Sequence, residues 1–106
     1  MKMSFYHPKA RAQLLEHNVC YTLRQSKAFY YDQTMKVTIT DTGYTGIRYY
    51  AGKSKLPDDG WERLHECVGQ SGFASVEEWQ EAALRFSGPG TYILYRVELD
   101  PPKDRT

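Results

Sequence analysis

Residues 17–25 read HNVCYTLRQ. Before them, PKARAQLLEH (8–17) opens on Pro8, which suits the first turn of a helix because its missing N–H has no partner there. Ala10, Leu14 and Leu15 give that helix an apolar face. It is expected to end at His17–Asn18, asparagine being a tolerated left-handed terminator. The side chains then alternate over Cys20–Gln25 as in a strand, with Tyr21 and Leu23 on one side and Thr22 and Arg24 on the other. A helix that turns directly into a strand carrying a hydroxyl and a guanidinium on one face sets the frame for the rest of the chain.

Working outward, MKVTITDT (35–42) alternates Met35, Val37 and Ile39 against Lys36, Thr38 and Thr40, the pattern of a half-buried strand. SKAFYYDQT (26–34) reads as a loop or strand edge and GYTG (43–46) as a turn. IRYYAGKS (47–54) reads as a further strand, and LPDDG (56–60) breaks the chain. WERLHECVG (61–69) places Trp61, Leu64 and Val68 at helical spacing, with Asp58 or Asp59 as cap and Gly69 as stop. SVEEWQEAALRF (75–86) carries the capping box Ser75-x-x-Glu78, with Val76, Trp79, Ala83 and Phe86 on one face. TYILYRVEL (91–99) is a long strand. The order is helix, strands, two helices, strand. It predicts a single α+β domain over 1–106, with helices beside a mainly antiparallel sheet or small barrel and a polar tail at 100–106.

Composition narrows the function. The chain has 106 residues, 41% hydrophobic and 25% charged, an ordinary globular balance with room for one core. No apolar run approaches the ~20 residues of a membrane span, and MKMSFYHPKA has no signal-peptide core. Only Cys20 and Cys67 are present, which fits a reducing compartment, so a cytoplasmic location and no membrane association are expected. Net charge is +1, but residues 1–56 hold nine Lys/Arg against three Asp/Glu (+6) and residues 57–106 hold five against ten (−5). Seven of the nine tyrosines, among them Tyr30 and Tyr31, lie in the basic half. Basic residues interleaved with aromatics suit a surface that neutralises phosphates and stacks bases. Strand propensity alone also favours tyrosine.

These pieces together resemble the ASCH domain family, over about residues 3–99. The aromatic pair in SFY (4–6) precedes the first helix. LLEHNVCYTLR (14–24) is similar to the family's helix-to-strand segment, GFASVEEW (72–79) to the segment opening its late helix, and YILYRVEL (92–99) to its closing strand. The resemblance implies a PUA-like mixed β-barrel with flanking helices and a cleft between barrel and helices. It implies a module that binds RNA or a nucleotide, or a small nucleic-acid hydrolase. One branch of the family deacetylates N4-acetylcytidine with a lysine, a threonine and a glutamate. The threonine falls on Thr22 and the strand arginine on Arg24, whereas the lysine falls on Val19 and the glutamate near Ser71. Valine holds no proton and serine has no carboxylate, so that activity is not expected.

The expected ligand is RNA, single-stranded, or a nucleotide. Thr22 and Arg24 form the cleft floor, Lys53 and Lys55 a basic loop around Ser54 at its rim, and Ser71 borders it in the turn 69–72. The alternative for Arg24 is an ion pair with a buried acid such as Glu98. An enzyme using Tyr21, Thr22, Arg24 and Lys53, and a protein-interaction domain with a filled cleft, are the competing functions. No cofactor is expected. His17, Cys20, His65 and Cys67 have poor metal-ligand spacing, so no metal is expected either. Trp61 and Trp79 read as core, and Tyr21 as a residue of the fold more than of the cleft. No catalytic residue and no oligomeric state follow from the sequence.

Overall fold

The computed structural model describes residues 1–25, 31–58 and 61–101, with only the backbone of Trp61. Lys27, Tyr30, Asp59, the tail beyond Pro101 and the side chain of Trp61 lie outside the described residues. Five strands and three helices form one α+β unit: β1 (Lys2–Met3), α1 (Pro8–His17), β2 (Val19–Arg24), β3 (Met35–Ile39), β4 (Thr45–Leu56), α2 (Trp61–Cys67), α3 (Val76–Ser87) and β5 (Gly90–Leu99). A 3-10 turn, Val68–Gln70, follows α2.

The helix-to-strand junction forms as its residues dictate. His7 caps α1, its Nδ1 accepting from Lys9 N at 3.2 Å, and Asn18 adopts the left-handed conformation (φ 64°) with its N–H on Leu14 O. The chain therefore enters β2 one residue after α1 ends. Ser75 Oγ accepts from Glu78 N at 3.1 Å and starts α3. At the other end of α3, the Tyr92 hydroxyl donates to Ala83 O or Gly88 O, at 2.9 and 2.5 Å, and fixes the helix to β5.

The strand order is β1-β3-β4-β5-β2, antiparallel except for β1 against β3. The sheet curls into a half-barrel, and among the described residues β1 and β2 are its edges. Side-chain alternation gives it two buried faces. On the concave face, Ala10 and Leu14 of α1 pack with Met3, Phe5, Cys20, Val37, Ile39, Val97 and Leu99. These residues come from both edges of the sheet, and α1 packs across them. On the other face, Leu64 of α2 and Val76 and Trp79 of α3 cover Leu56, Tyr92 and Leu94.

Three expectations are corrected. Lys53 and Lys55 do not sit on a loop: β4 runs unbroken in sequence to Leu56, passing an irregularity at Tyr50/Gly52. Gly52 (φ 144°) permits it, because a Cβ there would lie 2.6 Å from the Arg63 guanidinium, which donates to Lys53 O at 3.1 Å. The strand expected to reach residue 42 stops at Ile39, where Asp41 turns left-handed (φ 65°). Phe86 shares the helical spacing of Trp79 but lies past the edge of the core and is 77% exposed.

Candidate functional site

Strand β2 is an edge, and its pairing with β5 fixes what that edge offers. Leu99 N donates to Asn18 O at 2.9 Å, and Val19 is paired with Glu98. By antiparallel alternation, Cys20, Thr22 and Arg24 spend their backbone groups on β5, while those of Tyr21 and Leu23 point outward. A cavity of about 840 Å³ runs along this open edge. Its walls are β2 from Tyr21 to Arg24 with Gln25 just beyond it, the segment Ser4–Ala10, and residues of α3 including Trp79, Ala83 and Phe86. The volume is that of a ligand pocket.

Thr22 and Arg24 share the concave face, opposite Tyr95 and Ile93 of β5. Arg24 Nε donates to Thr22 Oγ1 at 3.2 Å, and the guanidinium carbon lies 4.8 Å from the centroid of the Phe5 ring. The hydrogen bond orients the fork and the ring covers one of its faces. Among the described residues no carboxylate pairs with Arg24. Glu98, the acid considered from the sequence, pairs with Arg96 at 3.4 Å instead. Burial pulls the Arg24 pKa below the usual arginine value, with Cys20, Tyr95 and Tyr6 acting against it. An arginine nonetheless stays charged at neutral pH.

The charges around the cavity are otherwise matched. Lys9 pairs with Glu78, and Arg85 pairs with Glu81 at 2.6 Å. Of the lysines, arginines and glutamates lining it, Arg24 is left without an ionic partner among the described residues. A desolvated cation without a counter-ion is costly unless something supplies the negative charge. Thr22 is 8% exposed, and its hydroxyl proton has no acceptor among the described residues. The wall thus presents the Thr22 O–H and the terminal N–H groups of Arg24, all donors, which is the chemistry of a site for an anion.

The other expected residues lie elsewhere. Lys53 is in register with Ile93, as Arg24 is from the other side, so Lys53 and Arg24 share a face two strands apart. Lys53 does not line the cavity. Its Nζ lies 4.7 Å from the Tyr31 ring centroid, and Tyr31 meets Tyr50 edge-on at 5.9 Å. Lys55 follows on the same strand opposite Thr91. Ser71 is fully buried, its hydroxyl donating to Val68 O at 2.7 Å and accepting from Phe73 N at 3.1 Å, so it holds a turn and faces no cleft. Tyr21, expected to serve the fold, also lines the cavity.

Tyr6, His7 and Phe86 are cavity residues that sequence reasoning passed over. The aromatic pair in SFY was the available signal, since Phe5 covers Arg24 and Tyr6 stands at the mouth. Among the described residues no group of three or more His, Cys, Asp or Glu comes together, and no helix is long and apolar enough to cross a membrane.

Compared with protein-family models, curated proteins and solved structures, the chain gives no match.

Proposed function

We propose that this chain is an ASCH-like, PUA-like binding module that takes RNA, single-stranded, or a nucleotide in the cavity beside β2. The observation that carries this reading is Arg24: an oriented, partly buried guanidinium with no carboxylate partner among the described residues, beside a buried hydroxyl donor, in the wall of a nucleotide-sized cavity. A phosphate supplies the missing charge and accepts from both groups. Lys53 and Lys55, on the same face of the sheet, extend the positive surface for a longer strand. Both cysteines are free thiols, in keeping with a reducing compartment such as the cytoplasm.

The hydrolase alternative draws less support. Val19 does not line the cavity, Ser71 is spent in its turn, and Lys53 stands outside the cavity. No carboxylate adjoins Thr22 and Arg24 among the described residues. Calorimetric titration of the purified protein with nucleoside monophosphates and short single-stranded RNA, at low and moderate salt, tests the reading. Saturable binding that weakens with salt is expected, and no heat from any of them at low salt refutes it.

A further inference from the structure

Two large aromatic side chains stand exposed at the mouth of the cavity: Tyr6 at 72% and Phe86 at 77%. Tyr6 comes from the irregular segment before α1 and Phe86 from the last turn of α3, so the mouth lies between them. Their rings are nearly parallel, 24° apart, with centroids separated by 6.4 Å. Rings in direct contact gain most when their faces or edges touch, and this pair sits toward the long end of the aromatic range of about 4.5–7 Å. Two stacking steps of about 3.4 Å each, the spacing of bases along a strand, need slightly more than this centroid separation, so a base enters only as the two exposed rings part. Exposed apolar rings cost solvation and contribute little to the core, so their convergence on one cavity mouth calls for an occupant.

We infer that Tyr6 and Phe86 form a clamp for a nucleobase, which inserts between the two rings while its phosphate reaches Arg24 and Thr22. This rests on the reading of the cavity as a nucleotide site and adds which part of the ligand each wall recognises. A base brings a flat π-face of any sequence to both rings, and Tyr6, on irregular backbone, gives the small opening that entry requires. Behind the rings, the outward N–H and C=O groups of Tyr21 and Leu23 lie along the cavity floor and offer hydrogen bonds to a base edge or ribose. The same chemistry comes from a free nucleotide or from one residue of an RNA strand.

The test measures affinities of nucleoside monophosphates, ribose 5-phosphate and a short single-stranded RNA for the wild type, Tyr6→Leu, Phe86→Leu and Phe86→Tyr. The clamp predicts that the wild type prefers the base-bearing ligands to ribose 5-phosphate. Each leucine variant then loses about fivefold or more toward base-bearing ligands, the low end for one stacking contact. Its affinity for ribose 5-phosphate stays unchanged, and Phe86→Tyr, which keeps a ring, binds as the wild type. The same losses seen with RNA alone also support the clamp and identify a strand as the ligand. Base-bearing ligands bound equally by wild type and both leucine variants overturn the clamp and leave the Arg24 site standing. A wild type that binds none of the three ligands overturns both.

Discussion

Arg24 Nε donates to Thr22 Oγ1 at 3.2 Å across a single strand face, and this bond leaves the terminal guanidinium nitrogens with no protein acceptor among the described residues. The pair is i and i+2 on an edge strand, so both side chains reach the same cavity wall. A group arranged for binding at the expense of stability is expected to show that conflict when it is replaced.

Arg24→Leu is the variant that reveals it. Leucine removes a desolvated cation that has no ionic partner among the described residues, and loses the hydrogen bond to Thr22 and the contact with Phe5. Thermal unfolding is expected to show stability unchanged or raised, by up to about 2 kcal/mol, as found when buried charges give way to apolar groups. A marked loss of stability points instead to Arg24 as a structural residue.

Thr22→Val keeps shape and strand propensity and removes the acceptor that orients Arg24. A cost of about 0.5–1.5 kcal/mol in unfolding free energy is expected for the lost hydrogen bond. Phosphate affinity should fall alongside, because the guanidinium is no longer held in register. Chemical denaturation and calorimetry on one preparation measure both.

Trp79 and Phe86 lie on the same helix and separate core from mouth. Trp79 is 3% exposed and packs with Leu56, Leu64, Val76, Tyr92 and Leu94, so Trp79→Ala should cost about 3–5 kcal/mol. Phe86→Ala should stay within about 0.5 kcal/mol of the wild type. Equal destabilisation by the two in urea unfolding contradicts this division.

Cys20 gives a pH dependence with a definite sign. It is fully buried beneath α1, and burial pushes its thiol up to about 12, with Arg24 opposing. The folded state therefore holds the proton that the unfolded chain releases near pH 8.5–9. Its contribution to stability is complete below that range and is lost as pH rises toward 12, by at most about 1.4 kcal/mol per unit. Melting temperatures of wild type and Cys20→Ala from pH 7 to 11 should converge as pH rises. Parallel curves refute the assignment.

Much of this fold is legible locally. Pro8 and Asn18 bound α1, Ser75 and Glu78 start α3, and the alternation in β3 and β5 marks their faces, because each signal acts over a few residues. Lys53 and Lys55 suggest a basic loop because the expected strand ends at Ser54 and LPDDG breaks the chain soon after, whereas pairing with β5 carries the strand to Leu56. Ser71 looks available between two glycines, yet it is buried: its hydroxyl is taken up within its own turn, and Cys20, remote in sequence, packs its thiol against the Ser71 carbonyl. The β1 strand, two residues long, exists only through its parallel pairing with β3. Within the site, Thr22 and Arg24 were visible as an i, i+2 pair. The aromatic walls of the expected cleft were not, since Tyr6, Trp79 and Phe86 meet β2 only in the folded chain.

The central claim is that Arg24 awaits an anion carried by RNA or a nucleotide. The most direct test is the affinity of single-stranded RNA for wild type, Arg24→Leu and Lys53→Ala across a range of salt. Wild-type affinity should fall with salt at a log–log slope of about −0.7 per phosphate contact. Arg24→Leu should remain folded and bind more weakly by about 1–3 kcal/mol. Lys53→Ala should lose less and mainly flatten the slope, because an exposed lysine is a screened point charge. No binding by the wild type at low salt, or a folded Arg24→Leu that binds as the wild type does, contradicts the claim.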